Sequence, residues 1–270
     1  MTDHADDSPL AEAYNRGLAL EKAGDAAGAA AAYREALALD PADHGGASVR
    51  LAALGLGPVP DAAPEAYVAT LFDQNAQAFD DMLVEQLGYA VPMLLRERFA
   101  DLGLGPFPRL LDLGCGTGLT GSSLADLSDH RVGVDLAENM LAEADERGCY
   151  DGLYVAEAVA FLEEAGADEG APWDLIAATD VLPYIGRLDG FFAGAARQLA
   201  PGGALAVSSE TLEGHGDFTI GAKHRYAHAP GYLDRLAREN GFEILEMRGI
   251  DVRFDEGAPI PGNLMIARRG

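Results

Sequence analysis

Lysine is almost missing from this sequence. Of 270 residues only Lys22 and Lys223 are lysines, and 19 basic residues stand against 44 acidic ones, for a formal net charge of −25. Such a surface meets a polyanion with long-range repulsion, which argues against nucleic-acid binding and against docking on anionic lipid. Cysteine is scarce too, and Cys115 with Cys149 makes no disulfide framework. There is no run of 18 apolar residues, and the acidic start from Met1 to Ser8 lacks the basic head of a secretion signal. The chain therefore reads as cytoplasmic, with no membrane association. The histidines lack metal-ligand spacing with acids or cysteines, so no metal is expected. What is present is core material: 49% of the residues are hydrophobic, enough for one α/β domain with about 60 to 100 residues left over.

The most informative stretch is Arg109-Leu-Leu-Asp-Leu-Gly-Cys-Gly-Thr-Gly-Leu-Thr-Gly121. Leu110, Leu111 and Leu113 predict a short buried strand, the glycines a tight turn, and Leu119 to Leu127 a helix. Two spacings overlap here. Gly116, Gly118 and Gly121 fit G-x-G-x-x-G, the dinucleotide fingerprint, in which pyrophosphate sits on a helix N-terminus. Gly114, Gly116 and Gly118 fit G-x-G-x-G with Asp112 two residues ahead. A carboxylate inside the strand repels pyrophosphate but suits a ligand carrying an ammonium group.

Leu111-Asp112-Leu113-Gly114-Cys115-Gly116-Thr117-Gly118 resembles motif I of the class I methyltransferases that use S-adenosylmethionine (SAM), a cation without phosphate. The resemblance extends over about residues 65 to 269 and includes Gly133-Val134-Asp135-Leu136-Ala137-Glu138-Asn139-Met140-Leu141 and Ala200-Pro201-Gly202-Gly203. It implies a cofactor site built from Asp112, Gly114, Cys115, Gly116 and Gly118, then Asp135, Leu136 and Met140, with Asp135 accepting hydrogen bonds from the ribose hydroxyls. Glu157 and Ala158 stand where the family contacts adenine, and Thr179 and Asp180 close the fourth strand beside the methyl-transfer point. The implied products are a methylated acceptor and S-adenosylhomocysteine (SAH).

The rest of the chain falls into three segments. Residues 1–57 hold a helical hairpin in which Gly17, Ala29, Tyr33, Ala36 and Pro41 stand at the spacings of a tetratricopeptide repeat (TPR), followed by a third helix near Ala47 to Leu54. A single repeat serves as a helical cap, a site for a protein partner, or a surface for self-association. Residues 58–100 comprise a linker, Gly55 to Pro64, and an amphipathic helical lid in which Phe72 and Phe79 share a face. Residues 101–270 alternate strands and helices: strands at Arg131 to Asp135, Leu153 to Val155, Trp173 to Thr179 and Ala204 to Ser208, then a final pair at Phe242 to Val252 and Leu264 to Arg268. That order predicts an α/β fold, a Rossmann-like seven-stranded, mostly parallel sheet with helices on both faces and an antiparallel last pair.

Acceptor chemistry is expected at the ends of the fourth and fifth strands. Asp180-Val181-Leu182-Pro183-Tyr184 departs from the Asn/Asp-Pro-Pro-Tyr form of amine-methylating enzymes, because Val181-Leu182 intervene. His215, Tyr226 and His228, in the stretch from Glu210 to His228, are candidate bases, and Tyr184 a candidate acceptor contact. The expected activity is in-line methyl transfer to an O, N or S nucleophile of a small molecule. The competing readings are a protein methyltransferase that uses the helical hairpin for its substrate, and a non-catalytic SAM-binding regulatory module.

Overall fold

The computed structural model describes residues 8–164 and 171–270. Most of residues 1–8, and Ala165, the last residue of a helix that the sequence predicts over Val159 to Ala165, lie outside that range. Three helices begin the chain: α1 (Pro9–Lys22), α2 (Ala26–Leu39) and α3 (Ala47–Ala53). The first two form the expected hairpin, and Gly17 is what allows them to meet. A Cβ at that position would stand 2.5 Å from the Tyr33 ring. Side-chain caps start both helices, Ser8 accepting from the Ala11 amide and Asp25 from that of Gly28.

The segment expected to be a linker is bound to the rest of the molecule. Asp61 O accepts from the amides of Gly186 and Arg187, the Ala63 amide donates to Tyr184 O, and Tyr226 Oη donates to Pro60 O. Beyond it lie α4 (Glu65–Asp73), a 3₁₀ turn, a π-helical turn (Asp81–Gln86) and α5 (Val91–Leu102).

The α/β body follows as expected in order, with β1 (Arg109–Leu113), α6 (Leu119–Ser123), β2 (His130–Asp135), α7 (Glu138–Arg147), β3 (Gly152–Val155) and α8 (Ala158–Glu164). Then come β4 (Trp173–Ala178), α9 (Asp189–Gln198), β5 (Leu199–Thr211), β6 (Phe218–Ile220), β7 (Tyr226–His228), α10 (Pro230–Glu239), β8 (Phe242–Asp255) and β9 (Ala258–Arg269). The sheet runs β3-β2-β1-β4-β5, parallel throughout, and β9 and β8 add antiparallel strands beside β5. Among the described residues its nine strands correct the expected seven. The additional pair is the short antiparallel hairpin β6–β7, which joins the sheet where Glu210 and Thr211 of β5 pair with Ala227 and His228.

Side chains alternate across the sheet, so β1 feeds two cores. Leu110 packs with Leu95 and Phe99 of α5, whereas Leu111 and Leu113 pack with Leu162, Phe191, Phe192 and Leu233 from α8, α9 and α10. Asp112 shares the face of Leu110 and is buried. The ends of β1, β2 and β4 meet residues of α4 around one crevice.

Candidate active site

The glycine loop owes its shape to backbone conformations that other residues adopt with difficulty. Gly114, Gly116 and Gly118 have φ of +62°, +52° and +92°. Gly121 serves a different end, because a Cβ there would lie 2.5 Å from the Tyr150 ring. Each of the two overlapping glycine spacings thus has a physical reason. The loop is also gripped from outside: Thr117 Oγ1 donates to Asp80 Oδ1 at 2.5 Å, while Arg147 Nε donates to Thr117 O at 2.6 Å and its Nη2 reaches Asp80.

Beside the loop a cavity of about 510 Å³ opens between the strand ends and the segment from Asp61 to Tyr89. Its size is that of an ordinary small-molecule site. Gly114, Cys115, Gly116, Asp135, Leu136, Glu157, Ala158, Thr179, Asp180 and Tyr184 all line it, brought together from β1, β2, β3 and β4. Asp135 Oδ2 accepts from the Gly116 amide and Oδ1 from that of Ala137, each at 2.9 Å. Burial raises its pKa, while those amides work the other way. Each oxygen keeps a further lone pair for a ligand hydroxyl. Glu157 caps α8 through the Ala160 amide at 2.7 Å and lines the cavity as well.

Three of the expected cofactor residues stand behind the lining. Met140 is wholly buried in a cluster with Phe72 and Phe79, and Gly118 accepts the Cys149 thiol. Asp112 takes the Tyr150 hydroxyl proton at 2.5 Å, and burial, with Asp135 nearby, pushes its pKa up to about 7. It lies beneath the loop, outside the cavity lining, with Oδ1 left without a partner among the described residues.

The candidate bases need a larger correction. His228 is buried, with Nε2 2.9 Å from Ile185 O and 3.1 Å from Gly186 O, and burial lowers its pKa to about 4. Both partners are carbonyls, so Nε2 carries the proton and Nδ1 is left inside without a partner. Tyr226 is also buried and donates to Pro60 O, while His215 is exposed on the loop between β5 and β6. None of the three lines the cavity. Tyr184 does. Its ring packs edge-on against Phe72 at 5.2 Å, and its hydroxyl accepts from Arg225 at 2.9 Å.

Sequence reasoning missed several lining residues. Asp61 sits in a stretch that composition marks as linker, and Tyr89 carries no spacing signal; Leu83 and Val68 look like any core residues. Phe72 and Phe79 lie 5.8 Å apart and both line the cavity, so the 58–100 segment forms its cover. Asp73 fastens that cover to α7 by accepting from the Asn139 amide at 2.8 Å.

The lining also separates the two ligand classes. It contains five carboxylates, from Asp61, Glu65, Asp135, Glu157 and Asp180, against one guanidinium, from Arg187, which pairs with Asp61, while Arg225 and Arg253 pair with Asp180 from behind the lining. A pyrophosphate would meet repulsion there, whereas a cationic amino-acid ligand with a ribose finds acceptors.

Comparison with known proteins agrees. Residues 111–205 match a family model described as a methyltransferase domain. A ubiquinone biosynthesis O-methyltransferase from Burkholderia pseudomallei (strain 1710b) is 29% identical over 159 residues, covering 54% of this chain and 68% of its own. Among solved structures, DhpI in complex with SAH aligns with a TM-score of 0.55 at 19% identity, over 76% of this chain and 97% of the other. A SAM-dependent methyltransferase from Clostridium acetobutylicum ATCC 824 gives 0.53 at 14% identity, over 73% and 98%. These structural likenesses establish the class I methyltransferase fold.

Proposed function

We infer that this S-adenosylmethionine-dependent methyltransferase transfers its methyl group to a hydroxyl oxygen on a small aromatic molecule. One observation carries the reading: the cavity that holds the glycine loop and Asp135 is also lined by four aromatic rings, Phe72, Phe79, Tyr89 and Tyr184. Aromatic walls select a flat ring through edge and face contacts. An oxygen acceptor is favoured over nitrogen or sulfur because the relatives named above include an O-methyltransferase.

When bound, the cofactor supplies an electrophilic methyl carbon on a sulfonium. The chain's own residues do the rest. Asp135 would hold the ribose, Glu157 the adenine end, and the bare backbone of Gly114 and Gly116 the amino-acid portion, with Asp112 and Tyr150 keeping that loop in place. Phe72 and Phe79 exclude water over the reacting atoms, and Tyr184 contacts the acceptor. His228 takes no part in proton removal; the acceptor's hydroxyl proton passes to solvent water, and alignment of acceptor and methyl carries the acceleration. The N-terminal helices are read here as a support for the β6–β7 hairpin rather than a partner-binding repeat. Val49 and Ala52 of α3 pack against Ile220 and Tyr226 of the β6–β7 hairpin.

The test is incubation with methyl-labelled SAM and a panel of phenols, anilines and thiophenols, read by mass spectrometry. Label in methyl ethers supports the reading. Label confined to nitrogen, sulfur or the protein itself overturns it.

A further inference from the structure

Four charged side chains close a ring behind the end of β4. Arg253 on β8 places Nη1 3.1 Å from Asp180 and Nη2 on Glu210, and Arg225, at the turn into β7, meets the same two acids at 3.0 and 2.8 Å. Two cations face two anions, so the ring is neutral, and none of the four side chains is more than 19% exposed. Desolvation of buried charges offsets most of their attraction, so such a ring fixes position more than it adds stability. What it holds is an uncommon turn. Asp180 has φ of +60°, a conformation that few residues other than glycine adopt, and its amide donates to Ser208 Oγ at 2.8 Å.

The segment that leaves this turn lies between the glycine loop and the cover. Val181 seats directly on Gly114, where a Cβ would stand 2.2 Å from Val181 Cγ2. Three residues on, the Tyr184 ring meets Phe72 and the Tyr184 carbonyl accepts from the Ala63 amide.

Arg253 comes from a hairpin that outruns the sheet. β9 pairs with β5 as far as Gly262 with Glu210, and beyond that point β8 and β9 pair with each other, from Asp251 with Pro261 to Asp255 with Ala258. Next to Arg253, the Phe254 amide donates at 2.7 Å to Leu87 O, in the cover between the cavity-lining Leu83 and Tyr89. Lys223 holds the same tip from the β6–β7 turn, 3.1 Å from Asp255. Two consecutive residues of one strand thus grip the end of β4 and the cover, while Arg253 itself stands outside the cavity lining.

We propose that Arg253 is a positioning residue for methyl transfer: by holding Asp180 it sets the 181–184 wall against the glycine loop and the cover, and so aligns the acceptor without touching it or the cofactor. The proposal rests on methyl transfer in this cavity. Asp135 and the Gly116 amide are held by bonds of their own, so alignment and cofactor affinity separate.

The test compares Glu210→Gln with Glu210→Gln/Arg253→Met. The first leaves both guanidiniums on Asp180. The second removes one of them and leaves Arg225 and Asp180 as a neutral pair, so charge imbalance does not explain a further loss. Transfer is followed with labelled SAM and the phenols of the panel above, and SAH affinity by calorimetry. Adding Arg253→Met should lower kcat by roughly tenfold or more, with SAH affinity within about twofold and the thermal midpoint within about 4 °C of Glu210→Gln. Lysine in place of that methionine returns a cation to Asp180 and should recover much of the loss. Equal kcat in the two variants, or a loss of kcat matched by loss of SAH affinity, would overturn the proposal. If no phenol accepts label in wild type, the O-methyl reading is what fails, and amide exchange of the SAH-bound chain decides on Arg253. Faster exchange at Ala63, Gly186 and Arg187 in the double variant, with Gly116 and Ala137 unchanged, supports its positioning role, and no local change overturns it.

Discussion

His228 illustrates how burial decides the role of a titratable side chain. Its imidazole stacks near Tyr232 and gives its proton to two main-chain carbonyls, so it is held neutral with a pKa near 4 against an ordinary 6.5. The unfolded chain therefore binds a proton that the native state refuses between those values. Stability is fully present above pH 6.5 and falls as pH drops toward 4, by up to about 3 kcal/mol from this residue. Glutamine can still donate to the same carbonyls but does not titrate. The unfolding free-energy advantage of wild type over His228→Gln should thus shrink between pH 7 and pH 4, measured by urea denaturation. An advantage independent of pH would contradict the buried neutral assignment. The glycine loop and Asp135 were legible in the sequence because their geometry demands fixed spacing: glycines where φ is positive, and an acid at the end of β2. The ion pairs behind Asp180 and Tyr184 were not. Arg225 acts across the fold on Tyr184 and Asp180, 41 and 45 positions away, and no local pattern announces such a contact.

At the level of elements, the strand, glycine loop and helix around Asp112 form one device. In most helices an alanine in place of glycine adds about 1 kcal/mol of stability. Gly121 in α6 should behave in the opposite way, since its Cβ would press on the Tyr150 ring and drive the hydroxyl from Asp112 and from the Gly121 amide. Gly121→Ala should lower unfolding free energy by about 1–3 kcal/mol and weaken SAH binding with it. A neutral or stabilising effect in chemical denaturation would show that Tyr150 does not support the loop. The parallel strands were legible as apolar runs followed by acids and glycines, and the long strands β8 and β9 as the antiparallel end. The β6–β7 hairpin was not, because each strand has three residues and Phe218, Ile220, Tyr226 and His228 are spaced too briefly to show a period. The stretch before α4 misled in a related way. Its glycines and prolines suggest a free linker, yet its backbone pairs with the Tyr184–Arg187 loop, where Ala62 bridges Ile185.

For the whole molecule, charge and fold point to the same ligand. A net charge of −25, with five carboxylates against one guanidinium around the cavity, favours a cation and repels a dinucleotide, although the G-x-G-x-x-G spacing is also present. The cover and the strand ends meet around that cavity. No helix among the described residues is long and apolar enough to cross a membrane. The most direct test is titration calorimetry of the full chain with SAH and with NAD, in wild type and Asp135→Ala. The account predicts one SAH site and no heat from NAD, with the alanine variant losing about 1.5–3 kcal/mol of SAH binding, as expected for hydrogen bonds to a charged group. NAD binding at the same site, or SAH affinity unchanged in a folded Asp135→Ala variant, would contradict it.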